Sequence, residues 1–307
     1  MKNEPQEFAA PYLAPVKRSG PWRNFVWMTV VLVLAFSVPL YDLARFAAAS
    51  DLYSYIFLVP LISAYLACLQ RGKLPPFSGP ARLPAAGFFL GGVAALAGYG
   101  LACRAGCPLT EDDSLALMMT AFILFFAGGG CWFLGKEIMR TLAFPIGFLV
   151  FLVPMPTALL NGIESLLQQG SALAAEGFFQ LSGATFFRDG LVFKLPTITL
   201  QVAPECSGIH STLVLFITSS VAGYLFLRSP WRRTFLVLAV IPLALLRNGF
   251  RVFVIGELCT HVGPEMIDSP IHHHGGPLFF ALSLIPFFLL LFFLRRPERF
   301  KNNSKTQ

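Results

Sequence analysis

Eight long apolar segments dominate this 307-residue chain. A membrane hydrocarbon core of about 30 Å is crossed by about 20 apolar residues in a helix, and each segment approaches or exceeds that length. We therefore predict an all-α integral membrane protein with about eight transmembrane helices. The segments run over residues 25–43, 52–70, 85–103, 114–134, 141–156, 208–227, 234–254 and 277–294.

Composition supports a membrane protein and argues against nucleic-acid binding. The chain is 55% hydrophobic and 13% charged, whereas soluble domains carry about 25% charged residues. The net charge is +7, but the basic residues are scattered between apolar segments and form no stripe. Membrane topology accounts for that distribution. The first apolar run is long and lacks a small-residue cleavage site, so we expect no cleavable signal peptide.

Lysine and arginine placement predicts the orientation of the spans. With the N-terminus in the cytoplasm, the inner segments hold 17 of the 23 basic residues, and the outer side holds 12 of the 16 acidic residues. Basic residues disfavour the translocated side, so both termini are expected inside. The inner segments are 1–24, 71–84, 135–140, 228–233 and 295–307. We therefore divide the chain into a cytoplasmic N-terminal tail (1–24), a membrane domain (25–294) and a basic, disordered cytoplasmic tail (295–307).

The longest segment between spans, 157–207, is then extracytoplasmic. Its first part, 158–181, alternates apolar and polar residues in a way that predicts a helix lying along the membrane surface. Its second part has β-rich runs on either side of Arg188-Asp189-Gly190, which is a hairpin signal. We therefore expect a small helix-plus-β-hairpin insertion, followed by a third β run that leads to Cys206.

Cys206 is the candidate nucleophile. Pro204, Glu205, Ser207 and Gly208 surround it, and these residue types favour a turn at a membrane surface over a helix interior. A thiol becomes a good nucleophile when a helix N-terminus or a nearby cation lowers its pKa. The alternative interpretation is an incidental cysteine at the interface.

The other cysteines suggest no zinc site, because none forms a CxxC pair. Cys68 and Cys131 lie in apolar runs, where a cysteine serves as a small hydrophobic residue. Cys103 and Cys107 share a predicted outer loop, where a disulfide can form.

Two arginines in the seventh span are candidates for an intramembrane site. Arg247 and Arg251 are four residues apart and share one helical face. Arg251 lies roughly 25 Å along a helix that begins inside near Thr234, which puts it close to the outer interface. We expect one arginine to be functional and the other to snorkel toward lipid headgroups. Between them, Asn248 bonds either across helices or to a substrate carbonyl.

Histidines supply the candidate general acid and base. His272, His273 and His274 are consecutive and cannot all converge on one metal ion, and Asp268 is the only close carboxylate. A single histidine that carries a proton fits better, and we expect neither a metal nor another cofactor. His210 stands four residues after Cys206; it either pairs with the thiolate or simply lines its helix.

These residues together resemble the exosortase/archaeosortase family of multi-spanning membrane cysteine transpeptidases. The resemblance covers the eight-span layout, and its most specific parts are residues 204–209, 248–252 and 272–280, with a proline-rich span at 144–156. It implies that Cys206 is the nucleophile, that Arg251 stabilises charge and that His272 carries the proton.

Two departures from the family pattern affect the histidines. Pro277 follows the last glycine, where the family usually has Trp, so His273 or His274 replaces His272 if the register differs. His210 stands where the family more often has Arg or another long polar residue.

The resemblance also implies a function. The enzyme would cleave the C-terminal sorting signal of secreted proteins, a PEP-CTERM-like tail made of a short motif, a transmembrane helix and a basic end. It would act through a thioester on the extracytoplasmic face of the inner membrane, in contact with lipid. Glu205, Ser207 and Asn248 are the candidate substrate-binding residues.

Two alternatives belong to other functional classes. A transporter or polysaccharide-export subunit would line a pathway with intramembrane Arg and His, and it would need paired charges deep within several spans. The first six spans carry essentially none at mid-depth. An intramembrane hydrolase acting on lipid-linked substrates is the second alternative.

Overall fold

The structure is a computed structural model that describes residues 19–107, 109–202, 208–263, 265–266 and 276–303. Its α-helices carry the labels α1 to α12 in chain order. They are α1 Ser19–Ala35, α2 Ser37–Ala49, α3 Leu58–Leu69, α4 Arg82–Arg104, α5 Glu111–Phe133, α6 Lys136–Thr141, α7 Ala143–Phe148, α8 Thr157–Ser182, α9 Ile209–Phe226, α10 Pro230–Leu238, α11 Val240–His261 and α12 Gly276–Asn303. Short 3-10 helices cover Ser54–Phe57, Arg71–Lys73 and Leu149–Leu152.

Among the described residues, five helical segments are long and apolar enough to cross a membrane, or up to seven if each of two bent pairs is one span. The protein is therefore an all-α multi-pass membrane protein, with fewer such spans than the eight predicted. The five are Arg82–Arg104, Glu111–Phe133, Ile209–Phe226, Pro230–His261 and Gly276–Arg295.

The first two predicted spans differ most from their sequence expectation. The first is bent by 68° between α1 and α2. Pro39 has no amide hydrogen to donate to the carbonyl of Ala35, so the helix loses a bond at that turn. The second is the shorter apolar helix Ser54–Leu69, which begins as a 3-10 helix.

The predicted fifth span also ends at a break in the helix. The segment Ala143–Leu152 ends two residues before Pro154, and α8 begins at Thr157. Pro154 and Pro156 lie between them, and each proline removes a helical hydrogen bond and forces the preceding residue out of helical geometry. The pair is either a broken span or a re-entrant loop.

The chain divides into two compact units at about Pro154. In the first unit α4 and α1 pack against α5. A cross-helix hydrogen bond joins the buried Ser63 hydroxyl to the carbonyl of Pro145 at 2.8 Å. The second unit contains residues 50–55 and everything after Pro154, including the polar residues of the predicted site.

In the second unit α8 packs along α11. A Cβ atom added to Gly170 would lie 2.7 Å from Leu245, and one added to Gly256 would lie 2.6 Å from the ring of Phe179. Later residues of α8 contact later residues of α11, so the two helices run parallel where they touch. Small residues and Phe179 line the face of α8 that packs on α11, whereas Leu159, Leu166 and Leu173 are exposed. The surface-lying orientation of α8 stays a prediction from the sequence.

The predicted β segment forms a three-stranded antiparallel sheet of β1 Phe187–Asp189, β2 Val192–Lys194 and β3 Thr199–Gln201. The first two strands begin one to two residues later than the β runs in the sequence, and Gly190, at φ +60°, opens the turn. Phe193 is fully buried in the core that the sheet shares with α8 and α11.

The remaining helices of the second unit share another core. Apolar residues of α9, α10, α11 and α12 form it, with Phe287 and Leu236 almost completely buried. Helix α12 continues to Asn303, so the predicted disordered tail is helical up to that residue. In the first unit, Cys103 and Cys107 are free thiols in the structure, without the disulfide that their spacing allowed.

Candidate active site

Several predicted site residues lie outside the described part of the chain. These are Glu205, Cys206 and Ser207 in the segment 203–207, together with His272, His273, His274 and Asp268. The described residues on both sides of 203–207 are Val202 and Gly208, and each is held in place by hydrogen bonds to neighbouring elements. We call these two residues the anchors of the segment.

The upstream anchor is Val202, which is 1% exposed. Its amide donates to the carbonyl of Leu191 at 2.9 Å. Its carbonyl accepts a hydrogen bond from Nε2 of Gln168 on α8 at 3.4 Å. The chain therefore leaves the sheet at a point fixed against both β2 and α8.

The downstream anchor is Gly208, the residue before α9. Its carbonyl accepts bonds from the amide of Thr212 at 3.0 Å, the Thr212 hydroxyl at 2.7 Å and the Ser211 hydroxyl at 3.0 Å. Its φ of +70° is left-handed, and an added Cβ would lie 3.0 Å from Nη2 of Arg247. Glycine is favoured here by backbone conformation and by the closeness of the arginine.

Covalent geometry limits the distance from Gly208 to Cys206. Two residues of extended chain span at most about 7 Å between Cα atoms. The polar side chains that contact Gly208 come from α9 and α11.

Arg247 of α11 is the charged residue in contact with Gly208. It is only 8% exposed. Its Nη2 donates to the Gly208 carbonyl at 3.3 Å and to the Thr212 hydroxyl at 3.4 Å. Its buried Nη1 has no hydrogen-bond partner among the described residues. The expectation that the second arginine snorkels to lipid is therefore wrong for Arg247, because its side chain lies inside the protein.

Arg251, the arginine favoured from the sequence, lies one turn further along α11. It is half-buried, and its charge acts on that of Arg247. The two guanidinium groups thus form one positively charged region of the helix, with Arg247 the member in contact with Gly208.

Asn248 bonds across helices. It is 3% exposed, and its Nδ2 donates to the hydroxyl of Ser171 on α8 at 2.9 Å. This matches the helix-bridging alternative for Asn248. His210, in the first turn of α9, is exposed.

Sequence reasoning did not identify Ser171 or Thr212 as partners of these residues. A usable signal was the run of small residues in α8, because small residues at helical spacing let two helices approach closely. An added Cβ on Gly249 would lie 2.5 Å from the Cβ of Ala174. That close approach brings Asn248 to Ser171.

Comparison with known proteins gives one family. The model of the transmembrane exosortase family matches residues 45–289, which is well over half of the chain. Neither a curated protein nor a solved structure matches significantly. The match supports a multi-pass membrane protein with a general role as a membrane transpeptidase in the sorting of secreted proteins. The apolar helices agree with it, and the chain belongs to the transmembrane exosortase family.

Proposed function

We propose that this protein is a membrane cysteine protease or transpeptidase that cleaves the C-terminal sorting signal of secreted proteins through a thioester on Cys206. The observation that carries the proposal is the pair of anchors around Cys206. Val202 is held by the sheet and α8, and Gly208 by α9 and Arg247. Only five residues, Cys206 among them, separate the two anchors.

The reaction begins with attack of the Cys206 thiolate on the scissile carbonyl carbon. A C–S bond forms, and the carbonyl oxygen becomes an oxyanion whose charge Arg251 offsets. The C–N bond then breaks, and the leaving amine takes a proton from His272, or from His273 or His274 if the register differs. An acceptor amine or water attacks the thioester and releases the product, with the sulfur leaving as thiolate.

The substrate is a secreted protein that ends in a short motif, a transmembrane helix and a basic segment, as in PEP-CTERM-type tails. Its helix lies in the membrane beside the enzyme, with the motif at the level of Cys206. Glu205 and Ser207 flank the nucleophile in sequence and are the nearest candidates to bind the motif. Asn248 is the candidate on α11, in addition to its bond to Ser171.

The proposed location is the inner membrane, with the reaction on the extracytoplasmic face and both termini in the cytoplasm. Single-cysteine probes test this orientation. A membrane-impermeant maleimide should label Gly190→Cys in the hairpin but not Asn303→Cys at the end of α12, in cells whose inner membrane is intact. Labelling of Asn303→Cys in those cells would reverse the orientation.

The nucleophile is tested with Cys206→Ser. An alcohol is far less nucleophilic than a thiolate at neutral pH, so full-length substrate should accumulate while the enzyme stays in the membrane. Cys103→Ser is the matched control, because Cys103 is exposed and far along the chain from the site. Normal substrate maturation in the Cys206→Ser variant would end the nucleophile hypothesis.

A further inference from the structure

Four arginines of the second unit gather where helical segments that can cross a membrane begin or end. Helices α9, α10 and α12 are in mutual contact, and α9 ends, α10 begins and the span of α12 ends at these arginines. We therefore expect them at the boundary between the membrane core and water. We call this group the arginine junction, and its members are Arg228, Arg232, Arg233 and Arg295.

Contacts between helices hold guanidinium groups in the arginine junction. Nη1 of Arg232 on α10 donates to the carbonyl of Leu294 on α12 at 3.0 Å. The guanidinium of Arg295 on α12 lies 5.5 Å from the centre of the Phe226 ring on α9. Each contact joins α12 to a neighbouring helix, so the positive charges of the three helices are held together rather than spread along the chain.

The helices of the arginine junction bring almost no negative charge with them. No Asp or Glu occurs in residues 209–256 or 276–297, which contain α9, α10 and the span of α12. Glu298 is the next carboxylate along α12, and the sequence from 295 to 305 has five basic residues against this one acid. The junction is therefore strongly positive, and it attracts an anion from outside the chain.

The arginine junction is accessible from the membrane surface. Arg228 and Arg295 are exposed, and Trp231, in the same turn of α10 as Arg232, is 74% exposed. Tryptophan is enriched at the level of the lipid headgroups. Basic groups between transmembrane helices at that level bind anionic headgroups, and arginine can hold a phosphate through two parallel hydrogen bonds.

Large apolar side chains near the arginine junction are exposed as well. They occur on all three helices and are Leu225, Phe226, Phe235, Leu238 and Phe293. A ligand with a negatively charged head and apolar chains matches both the arginines and this apolar surface. A soluble anion would use the arginines alone.

We propose that the arginine junction binds an anionic phospholipid. Its phosphate contacts Arg228, Arg232 and Arg295, and its acyl chains lie along the exposed apolar side chains of the three helices. The bound lipid stabilises the meeting of three helix ends by neutralising their positive charge. The site is separate from the proposed reaction, and it stands whether or not the protein is a transpeptidase.

Lipid binding to the full-length protein in neutral detergent tests the proposal. The probes are phosphatidylglycerol and phosphatidylcholine with identical acyl chains, and native mass spectrometry measures the affinity of the first bound lipid. Phosphatidylglycerol should bind about tenfold more tightly, and added salt should reduce the difference. Equal affinities would overturn the proposal. An excess of inorganic phosphate should not displace the lipid, and displacement would show a phosphate site instead of a lipid site.

Matched variants assign the preference to the arginine junction. Arg228→Gln/Arg295→Gln should reduce it to within about twofold, whereas Arg228→Lys/Arg295→Lys keeps both charges and should retain most of it. Lys136→Gln/Arg140→Gln removes two exposed basic residues from α6 and should leave it unchanged. A preference that survives the first pair, or that is lost equally in the α6 pair, would overturn the proposal. If the first pair does not fold, each single glutamine variant should lose part of the preference.

Discussion

The two ends of α9 are each held by an arginine, and the two arginines are bound very differently. At the C-terminal end, Arg233 donates to the Leu227 carbonyl at 2.8 Å and lies 5.1 Å from the centre of the Tyr224 ring. At the N-terminal end, Arg247 reaches the Gly208 carbonyl only at 3.3 Å. The first bond is short and supported by an aromatic face; the second is long.

The helix dipole makes the contrast sharper. A cation is stabilised at the C-terminus of a helix and destabilised at the N-terminus. Arg233 is therefore an ordinary structural cap that is placed where the field favours it. Arg247 is buried where the field opposes it, with a second arginine one turn away. Among the described residues, the contacts of Arg233 are therefore more favourable than those of Arg247.

The largest expected effect is a loss of turnover when Arg251, one turn beyond Arg247 on α11, is replaced. Arg251→Ala removes the cation that we propose to offset the oxyanion, and it should lower kcat/KM about a thousandfold. Arg251→Lys should also be severely impaired, because lysine lacks the planar fork of donors. Processing of a reporter substrate, normalised to the amount of enzyme in the membrane, measures the loss.

Arg233→Ala is the control, and it should keep activity within about twofold of the parent, since its arginine caps the far end of α9. Equal activity of Arg251→Ala and the parent would make Arg251 an interfacial anchor. Arg247→Lys should keep substantial activity, because the charge remains.

Replacing glycine by alanine near the two ends of α9 should change the free energy of unfolding in opposite directions. Gly208→Ala forces an alanine into the left-handed conformation that Gly208 adopts, with φ of +70°. This should lower the free energy of unfolding by about 1–2 kcal/mol. Gly223 lies within α9, and its added Cβ would be 3.6 Å from Arg233, an ordinary contact. Gly223→Ala should therefore stabilise the protein by up to about 1 kcal/mol through helix propensity. Thermal unfolding in detergent compares them, and a shift of the same sign in both would contradict the account of Gly208.

The smallest effect concerns the polar contact beside Arg247. Ser171→Ala removes the buried acceptor of the Asn248 amide, and it should destabilise the protein by about 1 kcal/mol. Ser182→Ala, whose hydroxyl makes an exposed bond to Glu257, should have almost no effect. Thermal unfolding of both variants measures the difference. No difference between the two would mean that the Asn248 bond does not stabilise the packing of α8 on α11.

Apolar length alone predicted the straight spans well. The segments 85–103 and 114–134 correspond to α4 and α5 within a few residues. It missed the break before Pro39, because a proline interrupts a helix without changing the mean hydropathy. The end of the fifth predicted span at Pro154 and Pro156 agrees with the break between Leu152 and Thr157. Periodicity identified α8 as a helix, and leucines of its apolar pattern such as Leu166 and Leu173 are exposed. It did not identify the small-residue face that packs on α11, because that contact depends on tertiary packing.

The burial of the two candidate arginines could not be predicted from the sequence. Arginines four residues apart share a helical face, so spacing could not tell which one is buried. The packing of α9 against α11 decides it, because Gly208 leaves room for Nη2 of Arg247. The sequence motif selected Arg251, and the structure shows that Arg247 is the more buried of the two.

The central claim is the thioester on Cys206, and mass spectrometry of the enzyme isolated during turnover tests it most directly. The account predicts an adduct on the peptide that contains Cys206, with the mass of the substrate part N-terminal to the cleavage site. Hydroxylamine should release it, since it cleaves thioesters, and Arg251→Ala should form less of it. Efficient cleavage of the substrate with no acyl group on Cys206, together with normal turnover by the Cys206→Ser variant, would contradict the account.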